Sequence, residues 1–193
     1  MNFKGIYLIH TKTGVLPRNV QRFQMRLDKE SGYWNHSGIA LSSISGTYIF
    51  EASTKDFANN KGRLSRAGAY VNPAYIYYNK DNYEILLLEP NDSFWNVLDI
   101  GGLHKSYKTE YSTFYLEGTP YDFKNLLGDQ IVQYLIGRWI GRTGKAAKKR
   151  MVCHELTMNW CNLVAGRDIF PGAHRALVKD IYYSPYFNHR RVQ

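Results

Sequence analysis

Apolar and polar positions alternate at some stretches of the 193-residue chain and recur at helical spacing in others, and the switches mark its elements. Residues 5–10 alternate weakly before Thr11 to Gly14, which predicts a first strand and a turn. Pro17 suits a first helical position, and Val20, Phe23 and Leu27 follow at helical spacing, so a helix is predicted over about 17–30. From His36 the pattern becomes H-S-G-I-A-L, a short polar turn, then T-Y-I-F-E-A-S, the signature of a hairpin. With the turn centred between Ser43 and Ser45, His36 falls opposite a residue between 51 and 53. Odd pairing sums then put His36 and Glu51 on one face.

Residues 54–80 are rich in Asn, Gly, Lys and Tyr and read as a long loop with one strand near Ala74 to Tyr78; whether it closes over a cleft stays open. The run Y-E-I-L-L-L-E at 83–89 predicts a buried strand, and N-D-S-F-W-N-V-L-D opens with a cap signal for a short helix over about 92–99. A longer helix is expected from Tyr121 to about Ile140, and another over 153–165, where Leu156, Met158, Trp160, Leu163 and Val164 stand. The stretch R-A-L-V-K-D-I-Y-Y is helix or strand, followed by a basic end. No repeat or linker interrupts the chain. The predicted class is α+β, a single domain over 1–193 with an antiparallel sheet packed against helices.

Composition narrows the chemistry. Hydrophobic residues at 44% and charged residues at 21% argue against disorder. No stretch approaches the roughly 18 apolar residues of a membrane span, and the N-terminal apolar run is too short for a signal sequence. A soluble protein, cytoplasmic as synthesised, is expected, with export by another route left open. Cys153 and Cys161, eight residues apart on one helix, would stand about 12 Å apart along its axis, too far for a disulfide. Free thiols in a reduced compartment follow. The remaining histidines show no ligand spacing, so no metal or cofactor is expected.

The net charge of +9 is partly concentrated in Arg138, Arg142, Lys145, Lys148, Lys149 and Arg150, with no acid between them. This segment suits a solvated loop and helix end or a contact with an anionic polymer. It is no P-loop, because Trp139 stands where the first glycine is needed and Ala146 where Ser or Thr is needed. Positive charge just ahead of Cys153 would also favour its thiolate.

His36, Glu51 and Cys153 supply a base, a group to orient it and a nucleophile at a helix start. The helix dipole and a nearby imidazolium favour the thiolate, and the Cys153 backbone N–H suits a developing oxyanion. In papain the cysteine comes first and the histidine far downstream, so the order here requires a circularly permuted chain.

Four segments carry a resemblance: W-N-H-S-G-I-A at 34–40, Y-I-F-E-A at 48–52, G-T-P-Y-D-F at 118–123 and M-V-C-H-E-L at 151–156. In order and spacing the chain resembles the circularly permuted branch of the NlpC/P60 superfamily of papain-like thiol hydrolases, in particular the YiiX-like amidases. The resemblance implies a permuted papain-like fold, Cys153 as nucleophile, His36 as base and later acid, and Glu51 as its orienting group. It makes Tyr121 a candidate oxyanion donor or substrate contact and Asp122 a candidate polar contact. Glu155 suits either helix capping or a substrate role. Two positions depart from the family: Gly5 is followed by Ile6 rather than Asp, and Cys-Ser-Glu becomes Cys153-His154-Glu155, which sets a second imidazole beside the nucleophile. The implied activity is hydrolysis of an amide or peptide bond, in a cell-wall (peptidoglycan-derived) stem peptide or another amino-acid amide. A lipid acyltransferase or deacylase would use the same triad on an ester, and a catalytically idle binding or structural protein would keep only the fold.

Overall fold

A computed structural model of the chain describes residues 2–53, 68–99, 151–173 and 177–192. Strand β1 (Asn2–Thr11) leads to helix α1 (Val15–Leu27), then to β2 (His36–Ser43), β3 (Gly46–Ser53), β4 (Gly68–Pro73) and β5 (Tyr83–Pro90). Helices α2 (Asp92–Val97), α3 (Cys153–Val164) and α4 (Val178–Tyr182) precede a last strand, β6 (Phe187–Arg191). The strands form one six-stranded sheet in the order β4-β3-β2-β1-β5-β6, with every neighbouring pair antiparallel. The class is α+β, as expected.

Alternation within the strands divides the core between two faces. Ile6, Leu8, Ile39, Leu41, Phe50, Leu86 and Leu88 pack with Leu156, Met158, Trp160 and Val164 of α3 and with Val178 and Ile181 of α4. Tyr7, Ile9, Ala40, Ile49, Ile85 and Leu87 form the opposite face with Ala74 and Tyr77. Because β5 is covered on both sides, it reads as a continuous apolar run rather than an alternating one. Gly5 marks a bulge in β1: its φ is +145°, and a Cβ there would lie 2.3 Å from the Leu88 carbonyl oxygen, so only glycine fits.

Several boundaries differ from the sequence expectation. Helix α1 stops at Leu27 rather than near 30, because Asp28 turns extended and its Oδ1 accepts the Ser31 N–H at 2.6 Å and the Ser31 hydroxyl at 2.7 Å. Pro17 is tolerated as the third helical residue, inside the first turn where its N–H would go unpaired. The strand expected near Ala74 to Tyr78 is instead a 3₁₀ turn over Ala74–Tyr77, and the strand lies earlier, at β4. Pro73, with φ fixed at −61° and no N–H to donate, ends the pairing with β3. The end read as merely basic is an edge strand, β6. The helix expected over 121–140, the basic segment 138–150 and residues 54–67 of the expected loop lie outside the described residues.

Candidate active site

The hairpin of β2 and β3 builds the first half of the site. Its register pairs Ile39 with Phe50 and Ser43 with Gly46, leaving Ile44 and Ser45 as the turn. The same odd-sum register puts Gly38, two residues along from His36, across from Glu51 on that face. His36 also pairs with Ile9 of β1, which assigns the imidazole to the face of Ile9, Ile49 and Tyr77. The approach to the strand is fixed by Asn35, whose side chain accepts from the Thr11 N–H at 2.9 Å and donates to the Thr11 carbonyl at 3.1 Å.

Gly38 leaves room for this arrangement. A Cβ at that position would come within 2.4 Å of Ile49 Cγ2 and 3.1 Å of Glu51 Cβ. The His36 Nε2 hydrogen-bonds to Glu51 Oε2. Glu51 itself has no solvent exposure and meets further donors: Asn72 Nδ2 reaches Oε1 at 2.7 Å, and the Tyr77 hydroxyl lies 2.8 Å from Oε1 and 2.7 Å from Oε2. These donors replace the water that a buried carboxylate would otherwise lose. Burial, then the Glu51 charge, push the Tyr77 pKa well above its ordinary value, so the hydroxyl stays a donor.

Helix α3 brings the other half. Cys153 is its first residue, only 2% exposed, and Val152 before it offers no side-chain cap. The His36 ring acts on the buried sulfur through charge and hydrogen bonding. Burial alone would raise the thiol pKa, but His154 and His36 outweigh it through charge and hydrogen bonding and hold it well below the ordinary thiol range. Burial likewise disfavours a charged His36, yet the Cys153 sulfur and the Glu51 carboxylate together raise its pKa to about 10. Both shifts favour a thiolate beside an imidazolium. Cys161 is the contrast: buried without such partners among the described residues, its thiol is pushed up by desolvation.

Thus Cys153, His36 and Glu51, 15 residues apart on the hairpin and far along the chain to the helix, form one connected array. Tyr121 and Asp122 lie outside the described residues. Glu155 is buried rather than displayed at a solvated helix end. The sequence reading missed Asn72 and Tyr77, because 68–78 looked irregular; the alternation of buried Ala69 and Val71 with Tyr70 was the available signal. It also missed Ser37, Gln24 and Thr157, which surround His154 and are all buried. A cysteine activated by an imidazole that a carboxylate orients can attack a carbonyl carbon and pass a proton to a leaving group. Compared with known proteins, the chain matches no family model and no curated sequence.

Proposed function

We propose that the protein is a cysteine amidase or peptidase that works through a Cys153–His36–Glu51 triad. The observation that carries this reading is the buried Glu51 carboxylate hydrogen-bonded to the His36 ring, with that ring acting in turn on Cys153 at the start of α3 and lowering its thiol pKa. The resemblance of the four sequence segments to permuted NlpC/P60 enzymes supports it, and so does the α+β architecture with a cysteine opening a helix against the sheet. In this mechanism the Cys153 sulfur attacks the amide carbon, and the C–N bond breaks as His36 gives its proton to the departing amine. Water then attacks the thioester while His36 takes a proton from it, releasing the acid and restoring the thiolate. Glu51 holds the ring in position and stabilises its charged form throughout. The substrate class suggested by the resemblance is a peptidoglycan stem peptide or a related amino-acid amide.

Incubating the full chain with purified peptidoglycan fragments, followed by intact-protein mass spectrometry, should reveal an acyl adduct. It should be removed by hydroxylamine and be missing from Cys153→Ala. An adduct formed only from phospholipid redirects the same triad to ester chemistry. Absence of an adduct from either substrate, together with the slow alkylation of an ordinary thiol, overturns the hydrolase reading.

A further inference from the structure

His154 is fully buried beside Cys153 and is not one of the three triad residues. Three elements hold its ring. Its Nδ1 is 2.9 Å from Ser37 Oγ of β2 and 3.7 Å from Cys153 Sγ, and its Nε2 is 3.3 Å from Gln24 Nε2 of α1. A buried histidine in a polar cluster is commonly a structural fixture, so the placement of protons decides its role.

Thr157 Oγ1 lies 3.0 Å from the Cys153 carbonyl oxygen, which can only accept. The single Thr157 hydroxyl proton therefore points there. Ser37 Oγ, 3.1 Å from Thr157 Oγ1, must supply the proton in that contact. Its own proton spent, Ser37 is an acceptor toward His154, so Nδ1 carries a hydrogen. Running the chain in the other direction would leave the Thr157 hydroxyl and Cys153 carbonyl oxygens 3.0 Å apart with no proton between them. On the far side of the ring, the Gln24 Oε1 is buried with no partner among the described residues. Turning that amide over places Oε1 on Nε2, where it can accept only from a ring that also carries a hydrogen there, which makes the ring a cation. In both orientations the Nδ1–H remains, directed at Ser37 and the sulfur.

We propose that His154 is a second imidazole acting on the nucleophile, an N–H donor to the Cys153 sulfur whose tautomer is set by the hydroxyl relay of Ser37 and Thr157. This rests on the triad reading above and deepens it. Two donors then face the sulfur: His36, which must give up its proton during the reaction, and His154, which need not. The anion stays stabilised after His36 has protonated the leaving amine, and the sulfur is a better leaving group when the thioester is hydrolysed. Among the described residues, the other titratable groups around this point are Glu51, Tyr77 and Tyr83 behind His36 and the buried Glu155 on α3.

The test is the pH dependence of Cys153 alkylation by iodoacetamide in the full chain, with thermal melts as a folding control. His36→Ala should leave part of the thiol activation in place. His154→Ala and Thr157→Val should each raise the apparent thiol pKa by about one unit, which is about tenfold less thiolate on the acidic side. His154→Asn, whose amide N–H occupies the place of Nδ1–H, should recover most of the loss; a purely structural role predicts no such rescue. Thr157→Val nearly preserves shape and keeps the test valid if His154→Ala folds poorly. Wild-type profiles in Thr157→Val and His154→Asn together with no change in His154→Ala overturn the proposal while leaving the triad intact. An ordinary thiol profile in the wild-type protein overturns both.

Discussion

A carboxylate with no solvent contact must find its hydrogen bonds inside the protein, and Glu51 obtains them from His36, Asn72 and Tyr77. Tyr77→Phe removes a donor and keeps the ring. Urea denaturation should show a loss of about 1–3 kcal/mol, the cost of leaving a buried polar group short of a partner. The two thiols should separate just as cleanly. At pH 7 iodoacetamide should modify Cys153 and leave Cys161 untouched until denaturant is added, as peptide mapping would show. The thiolate of Cys153 disappears only as pH falls through its depressed pKa, whereas the His36 proton is lost as pH rises through about 10. Alkylation should therefore hold its plateau into alkaline solution, while turnover by the proposed mechanism, which also needs the imidazolium, declines there. At this scale Cys153, His36 and Glu51 were singled out from residue type and order, and the fold brings them together. Asn72, Tyr77 and Gln24 were not, since a polar residue shows its purpose only when its partner across the fold is known.

The β2–β3 hairpin is the element that turns sequence spacing into chemistry. Its two-residue turn at Ile44 and Ser45 sets the register, and the register puts Gly38 directly beneath the meeting of imidazole and carboxylate. Gly38→Ala must displace Ile49 or push Glu51 aside. It should cost about 1–3 kcal/mol of stability, as overpacking does, and lower turnover by at least tenfold, read from melts and amidase assays on one preparation. This hairpin was legible because alternation and turn residues agree. Strand β4 was obscured by the Tyr- and Asn-rich composition around it, and the 3₁₀ turn after it is specified by Pro73 rather than by any apolar period. Strand β6 carries only one buried residue, Phe187, so its pattern is that of a charged tail. It is a strand because the edge of β5 offers unpaired backbone groups and Glu89 receives Arg190 at 2.8 Å.

Across the whole molecule, the class and the presence of a helix-borne cysteine against an antiparallel sheet followed from local patterns, but strand order did not. β1 lies in the middle of the sheet, between β2 and β5, a fact of long-range pairing that no window of sequence contains. The closing segment is tied back in the same long-range way: the Tyr182 hydroxyl donates to Glu30 at 2.6 Å, and His189 contacts the Tyr182 carbonyl at 2.7 Å. Among the described residues no helix is long and apolar enough to cross a membrane. The separation between the hairpin and α3 has a temporal meaning. Ser37 and His154, in contact once the protein is folded, are 117 residues apart along the backbone. During synthesis the ring and carboxylate leave the ribosome long before the sulfur they serve. A chain that stops short of α3 therefore holds the ring and the carboxylate without the sulfur, and the lowered thiol pKa arises only when that helix docks on the hairpin.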